Sequence, residues 1–130
     1  MAAFVPRSPQ PILVTGASGF AGTALMDALR GRGYSALRVV RKPGKLDACT
    51  AVVPLIDGRT DWSQMVSGTA AVIHLAARVH VMDDSASDPL AEVRRTNVDG
   101  TLKLGNQAAR GGVQRFVFVS SIEANGASTP

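Results

Sequence analysis

The residues best suited to holding a ligand lie together in Thr15-Gly16-Ala17-Ser18-Gly19-Phe20-Ala21-Gly22. Three glycines spaced by three residues follow a short apolar run and open a stretch of helical spacing. Each glycine has a separate physical task. Gly16 can take the dihedrals that turn the chain sharply out of a strand. Gly19 lets backbone approach a diphosphate with no Cβ in the way, and Gly22 lets the helix pack closely on a sheet. Free N–H groups around Phe20 and Ala21 then meet the anion together with the helix dipole. Ser18 belongs to the same cradle.

Such a cradle works only between a strand and a helix, and the flanking sequence supplies both. Ile12-Leu13-Val14 is a buried-strand run. Residues 21–29 repeat apolar side chains at helical spacing, and Gly31 and Gly33 stop that helix. Residues 36–40 form a second strand. Residues 51–56 form a third, demoted to an edge or a strand end by Pro54. Asp61 is a good N-cap for a short helix to about residue 66, with Gly68 as its stop. Residues 70–75 form a fourth strand, and residues 78–88 a polar loop. Pro89 suits a first helical position, and that helix runs to about residue 110, ended by Gly111-Gly112. Residues 115–119 form a fifth strand.

The strands are continuously apolar, as in a sheet buried on both faces. Their alternation with helices predicts an α/β fold, a doubly wound parallel sheet of order 3-2-1-4-5. The weak link is residues 41–50, which show no clear helix between the second and third strands. Residues 1–11 read as a flexible leader and residues 12–130 as one domain.

Composition narrows the function. Fourteen basic residues against 10 acidic give a net charge of +4, yet the longest basic runs are the pairs Arg41-Lys42 and Arg94-Arg95. Aromatic residues are only 5%, too few for base-stacking platforms, so a nucleic-acid partner is not expected. No apolar run approaches the roughly 20 residues of a spanning helix, so no membrane partner is expected either. Cys49 is the single cysteine, which excludes an intrachain disulfide and fits a reduced, cytoplasmic setting; it reads as a small core or loop residue. Asp83, Asp84 and Asp88 cluster in one loop and read as solvated, so no metal is expected. Arg78 and His80 read as a solvated loop pair.

The glycine spacing, the strand end His74-Leu75-Ala76-Ala77, the helical turn Asn97-Val98-Asp99-Gly100-Thr101, the strand Arg115-Phe116-Val117-Phe118-Val119-Ser120-Ser121 and Asn125-Gly126 occur in this order. In this the chain resembles the extended short-chain dehydrogenase/reductase superfamily, of the NAD-dependent epimerase/dehydratase type. Arg78-Val79-His80-Val81-Met82 is similar to one bacterial subgroup of UDP-sugar epimerases and 4-reductases. The resemblance spans residues 12–126 and implies a Rossmann-type domain binding NAD or NADP.

It also implies roles. NAD-selective members place an acid at the end of the second strand, where this chain has Arg41 and Lys42. A guanidinium there can pair with a 2′-phosphate, which favours NADP. Asp57 falls where the family bonds the adenine amino group, with Ile56 covering the ring. The backbone of Leu75, Ala76 and Ala77 would run along the diphosphate and ribose. Asn97, poorly suited to a helix interior, would bond backbone near the active site. Ser120 would border the cofactor, and Ser121 and Glu123 stand nearest the family's catalytic Ser or Thr position. Where dehydratases carry an Asp-Glu pair, this chain has Ile122-Glu123, which weakens a dehydratase reading.

The family's Tyr-x-x-x-Lys pair, whose lysine lowers the tyrosine pKa, does not occur before Pro130; the single tyrosine is Tyr34. The expectation is therefore the cofactor-binding part of a nucleotide-sugar epimerase or reductase, with a truncated sheet, binding a dinucleotide without turnover. A non-catalytic dinucleotide sensor and an NADP-dependent carbonyl reductase are the alternatives. An open edge at the fifth strand would also favour self-association.

Overall fold

A computed structural model describes residues 10–44, 47–78 and 88–121. Five strands, β1 (Ile12–Thr15), β2 (Ala36–Val40), β3 (Thr50–Val52), β4 (Ala71–His74) and β5 (Arg115–Phe118), form one sheet of order β3-β2-β1-β4-β5. Every pairing is parallel, so the expected doubly wound order holds.

The apolar continuity of the strands has its reason in the layers. Successive residues of a strand face opposite sides of the sheet. Leu13 joins one core with Val39, Val72, Trp62 and, from helix α4 (Thr101–Arg110), Leu104 and Ala108. Val14 joins the other with Val40 and, from helix α1 (Phe20–Gly31), Met26 and Leu29. Leu13, Val14 and Thr15 of β1 are all buried, so apolar side chains fill both faces and a polar one there must find its partners inside the protein. β5 is one edge of the sheet, and Val117, Phe118 and Val119 are exposed there.

Three expected elements are redrawn. The third strand ends at Val52 instead of residue 56. Val53 N–H still bonds Val40 carbonyl at 2.8 Å, but the fixed φ of Pro54 takes the chain out of the strand just beyond it. The short helix α2 (Ser63–Val66) is capped by Trp62, one residue later than expected, while Asp61 Oδ1 accepts the Ser63 amide at 2.9 Å. The long helix is not uniform: α3 (Pro89–Arg94) passes through a π-helical turn, Arg95–Gly100, into α4. Asp88, read as a solvated acid, is the N-cap of α3 and accepts the Ala91 amide at 3.1 Å. Cys49 is an exposed residue of the turn before β3. Among the described residues no helix is long and apolar enough to cross a membrane.

Candidate functional site

In this strand order β1 and β4 flank the point where the crossovers change direction, and a crevice opens there beyond the carboxyl ends of the strands. The structure has a cavity of about 530 Å³ at that place, within the usual range for small-molecule sites. Gly16, Ser18 and Gly19 of the β1–α1 turn line it, with Val39, Val40 and Arg41 at the end of β2. Residues 53–56 after β3 and 75–78 after β4 complete the walls, and Thr96 of the π-helical turn closes one side.

The three glycines of the turn have different surroundings and therefore different tasks. Gly16 has φ +67, and a Cβ there would stand 2.8 Å from Ala76 N. It lets β1 turn away while its backbone lies against the end of β4. A Cβ on Gly22 would stand 2.0 Å from Gly16 O, so this glycine serves packing of the helix on the turn. Gly19 is different. Its φ is −75, and a Cβ would meet only Gly16 O, at 3.4 Å. Gly19 is the N-cap of α1, with no side-chain cap, and the first intrahelical bond is Thr23 N–H to its carbonyl at 2.9 Å. The Phe20, Ala21 and Gly22 amides therefore lack an intrahelical acceptor.

Eight of the residues expected to bind the coenzyme line the cavity: Gly16, Ser18, Gly19, Arg41, Ile56, Leu75, Ala76 and Ala77; Arg78, expected to be solvated, is half-buried and lines it as well. Phe20, Ala21 and Gly22 form the first turn of α1 directly after Gly19 and are not among the lining residues; Phe20 is wholly exposed. Lys42 is exposed and outside the lining. Asp57 is also outside it. Its carboxylate accepts the Arg59 amide at 2.8 Å and the Thr60 hydroxyl at 3.4 Å, a local turn of the kind aspartate readily forms. Ser120 and Ser121 are exposed beyond β5 and do not line the cavity. His80, Asp83, Asp84 and Glu123 lie outside the described residues. Tyr34 lines a separate cleft with Ile12 and Ala71, at the amino ends of the strands and so opposite the cavity.

Asn97 sits in the π-helical turn, a helix irregularity frequent at functional sites. Its Oδ1 accepts the Arg78 N–H at 2.7 Å, and its Nδ2 donates to the Arg78 carbonyl at 2.9 Å. One amide thereby satisfies both backbone groups of Arg78 and fixes the chain leaving the cavity wall. The Arg78 guanidinium lies 3.5 Å from Glu92, which also pairs with Arg95 at 3.0 Å.

A second polar group went unread in the sequence. Thr15 and His74 are buried, and Thr15 Oγ1 lies 2.6 Å from His74 Nδ1. The same oxygen accepts the Leu75 and Ala76 amides, each at 3.1 Å. His74 Nε2 lies 2.9 Å from Thr101 Oγ1. A histidine inside an apolar strand run was the available signal, because a buried imidazole must find partners. Burial holds its pKa below the usual histidine range. A native pKa below the unfolded one means that the unfolded chain takes up the proton first. Stability is then fully present above about pH 6.5, where an unfolded imidazole titrates, and declines as pH falls toward the native value. Urea midpoints measured from pH 8 to 5 should show this decline, and replacing His74 by a non-titrating residue should flatten it.

The chain is similar to known proteins across this site. The family model described as NAD dependent epimerase/dehydratase family matches residues 12–130. A UDP-glucose 4-epimerase of Vibrio cholerae is 41% identical over 125 residues, covering 95% of this chain and 38% of the relative. A short-chain dehydrogenase/reductase superfamily protein from Agrobacterium tumefaciens, solved with bound NAD, superposes with a TM-score of 0.76 at 34% identity. That match covers 92% of this chain and 35% of the other. MoeE5 in complex with UDP-glucose and NAD gives a TM-score of 0.75 at 29% identity, over 91% of this chain and 38% of that one. The chain thus spans less than two fifths of the length of each of these proteins.

Proposed function

We propose, for a chain that belongs to the NAD dependent epimerase/dehydratase family, that the cavity seats a nicotinamide dinucleotide. The chain supplies the coenzyme-binding part of an oxidoreductase acting on a nucleotide sugar. Gly19 carries this reading. The fold leaves space for a side chain there and asks for no unusual dihedral, so glycine at the cavity wall serves the close approach of a ligand. The donors beside it are backbone amides at a helix start, suited to a diphosphate.

The bound dinucleotide would supply hydride transfer, in the larger enzyme at a sugar carbon. The residues of this chain bind and orient it. The amides of the first turn of α1 hold the diphosphate, Ala76 and Ala77 follow the ribose, and Ile56 flanks the adenine. Arg41 is the basic residue of the β2 end that reaches the cavity, and its guanidinium pairs with a 2′-phosphate, giving preference for NADP over NAD. No tyrosine or lysine is among the described lining residues, and the role of those residues is placement of the coenzyme. The likeness to a UDP-glucose 4-epimerase and to MoeE5 supports a nucleotide sugar as the substrate.

Thermal unfolding with increasing NAD and NADP tests this, because a ligand that binds the folded state raises its midpoint. Both coenzymes should protect the chain, NADP more strongly. Arg41→Glu should weaken NADP by about tenfold relative to NAD, the worth of one charge-assisted hydrogen bond. Absence of protection by either coenzyme at millimolar concentration overturns the reading, and an unchanged preference in the variant removes the role of Arg41.

A further inference from the structure

We infer that His74 is a positioning residue for the dinucleotide seat, fixing through the Thr15 hydroxyl the direction of the Ala76 amide at the cavity wall. The inference rests on the dinucleotide reading of that cavity.

The hydrogen bonds around Thr15 assign the protons. The partners of Thr15 Oγ1 are the Leu75 amide, the Ala76 amide and His74 Nδ1. The two amides can only donate, so the imidazole nitrogen is the one acceptor for the hydroxyl proton. A hydroxyl buried as Thr15 is requires such an acceptor. His74 Nδ1 is therefore unprotonated and Nε2 carries the hydrogen, which it donates to Thr101 Oγ1 at 2.9 Å. With its own proton committed to the ring, Thr15 Oγ1 turns both lone pairs to the amides of the β4 end. The Leu75 amide has a second acceptor in the Thr15 carbonyl at 3.3 Å. The Ala76 amide is the one that depends on the hydroxyl. It is also the group against which Gly16 closes, since a Cβ on Gly16 would lie 2.8 Å from it.

His74 thus ties three elements of the site together: β1 through Thr15, β4 through its own backbone, and α4 through Thr101 just past the π-helical turn. The rings of Phe116 and Phe118 on β5, 6.3 and 6.0 Å away, complete its surroundings. None of these partners carries a charge. A protonated imidazole would have no negative group to face, and its Nδ1–H would displace the Thr15 proton from its acceptor.

The test uses side chains that keep one half of the ring. In asparagine the amide oxygen takes the place of Nδ1, and in glutamine the amide reaches the place of Nε2. His74→Asn should keep the Ala76 amide protected from hydrogen exchange and bind NAD close to wild type. His74→Gln and His74→Leu should lose that protection and bind NAD about tenfold more weakly, the equivalent of one buried hydrogen bond. Nitrogen-15 spectra of the wild-type ring should show the Nε2–H form. The proposal is overturned if the Nδ1–H form is found, or if Ala76 is equally protected in all three variants. It is also overturned if His74→Asn resembles His74→Leu. Should the leucine variant not fold, Thr15→Val against Thr15→Ser asks the same question from the hydroxyl side, with protection expected only in the serine variant. A wild-type chain that ignores NAD would refute the dinucleotide reading, while Ala76 exchange would still decide the positioning role.

Discussion

Gly22→Ala is expected to cost the fold about 3 kcal/mol, the upper part of the range for forced overpacking, while Gly19→Ala costs no more than about 1 kcal/mol, the usual difference at a helix N-cap. For dinucleotide affinity the weight falls on the other glycine. Gly19→Ala should weaken NAD binding by about a hundredfold, the loss of close approach and of two charge-assisted hydrogen bonds. The contrast follows from what surrounds each position. At Gly22 a methyl group would stand 2.0 Å from Gly16 O and 2.8 Å from Ala17 Cα, all backbone of a turn that cannot retreat. The Gly16 carbonyl is already held there by the Gly19 amide at 3.1 Å. At Gly19 the protein offers no such obstacle, so the methyl group is accommodated until a diphosphate approaches. Urea denaturation and NAD titration of both variants separate the two effects. Wild-type affinity in Gly19→Ala would mean that no ligand approaches the turn at that residue.

Much of this was legible in the sequence because each signal was local. β2 falls on the expected residues 36–40, bounded by a glycine turn and by Pro43-Gly44. The tasks assigned to Gly16 and Gly22 depend on neighbours in the same turn and on β4, whose place follows from the alternation of strands and helices. What escaped reading depends on contacts distant in sequence. Thr15 and His74 are ordinary strand residues until β1 and β4 lie side by side, in the register that sets Thr15 opposite His74. Asp57 is a local case: expected by likeness to bond the adenine amino group, it lies outside the cavity lining and accepts the hydroxyl of Thr60, three residues later. The π-helical turn leaves no trace in apolar spacing. Its one mark was Asn97, a poor helix former where a helix had to pass.

That turn also explains how the two sides of the cavity are held at a fixed separation. Gly100 at its end packs on Ile56, where a Cβ would lie 2.8 Å from Ile56 Cγ2. Asn97 grips Arg78 on the opposite wall, and Thr96 lines the cavity between them. The wider i→i+5 turn sets these three residues at an angular spacing different from that of a regular helix. Asn97→Leu preserves the shape of the side chain and removes both hydrogen bonds. It should lower stability by about 2 kcal/mol, since the amide and carbonyl of a half-buried residue lose their partners together. Asn97→Asp keeps the acceptor for the Arg78 amide but sets an oxygen against its carbonyl, so it should fall between leucine and wild type. Dinucleotide affinity should follow the same order, because Ala76 and Ala77 lead directly into Arg78. Denaturation and NAD titration of the two variants give both orders. Full affinity in Asn97→Leu would show that the wall after β4 holds its place without the asparagine.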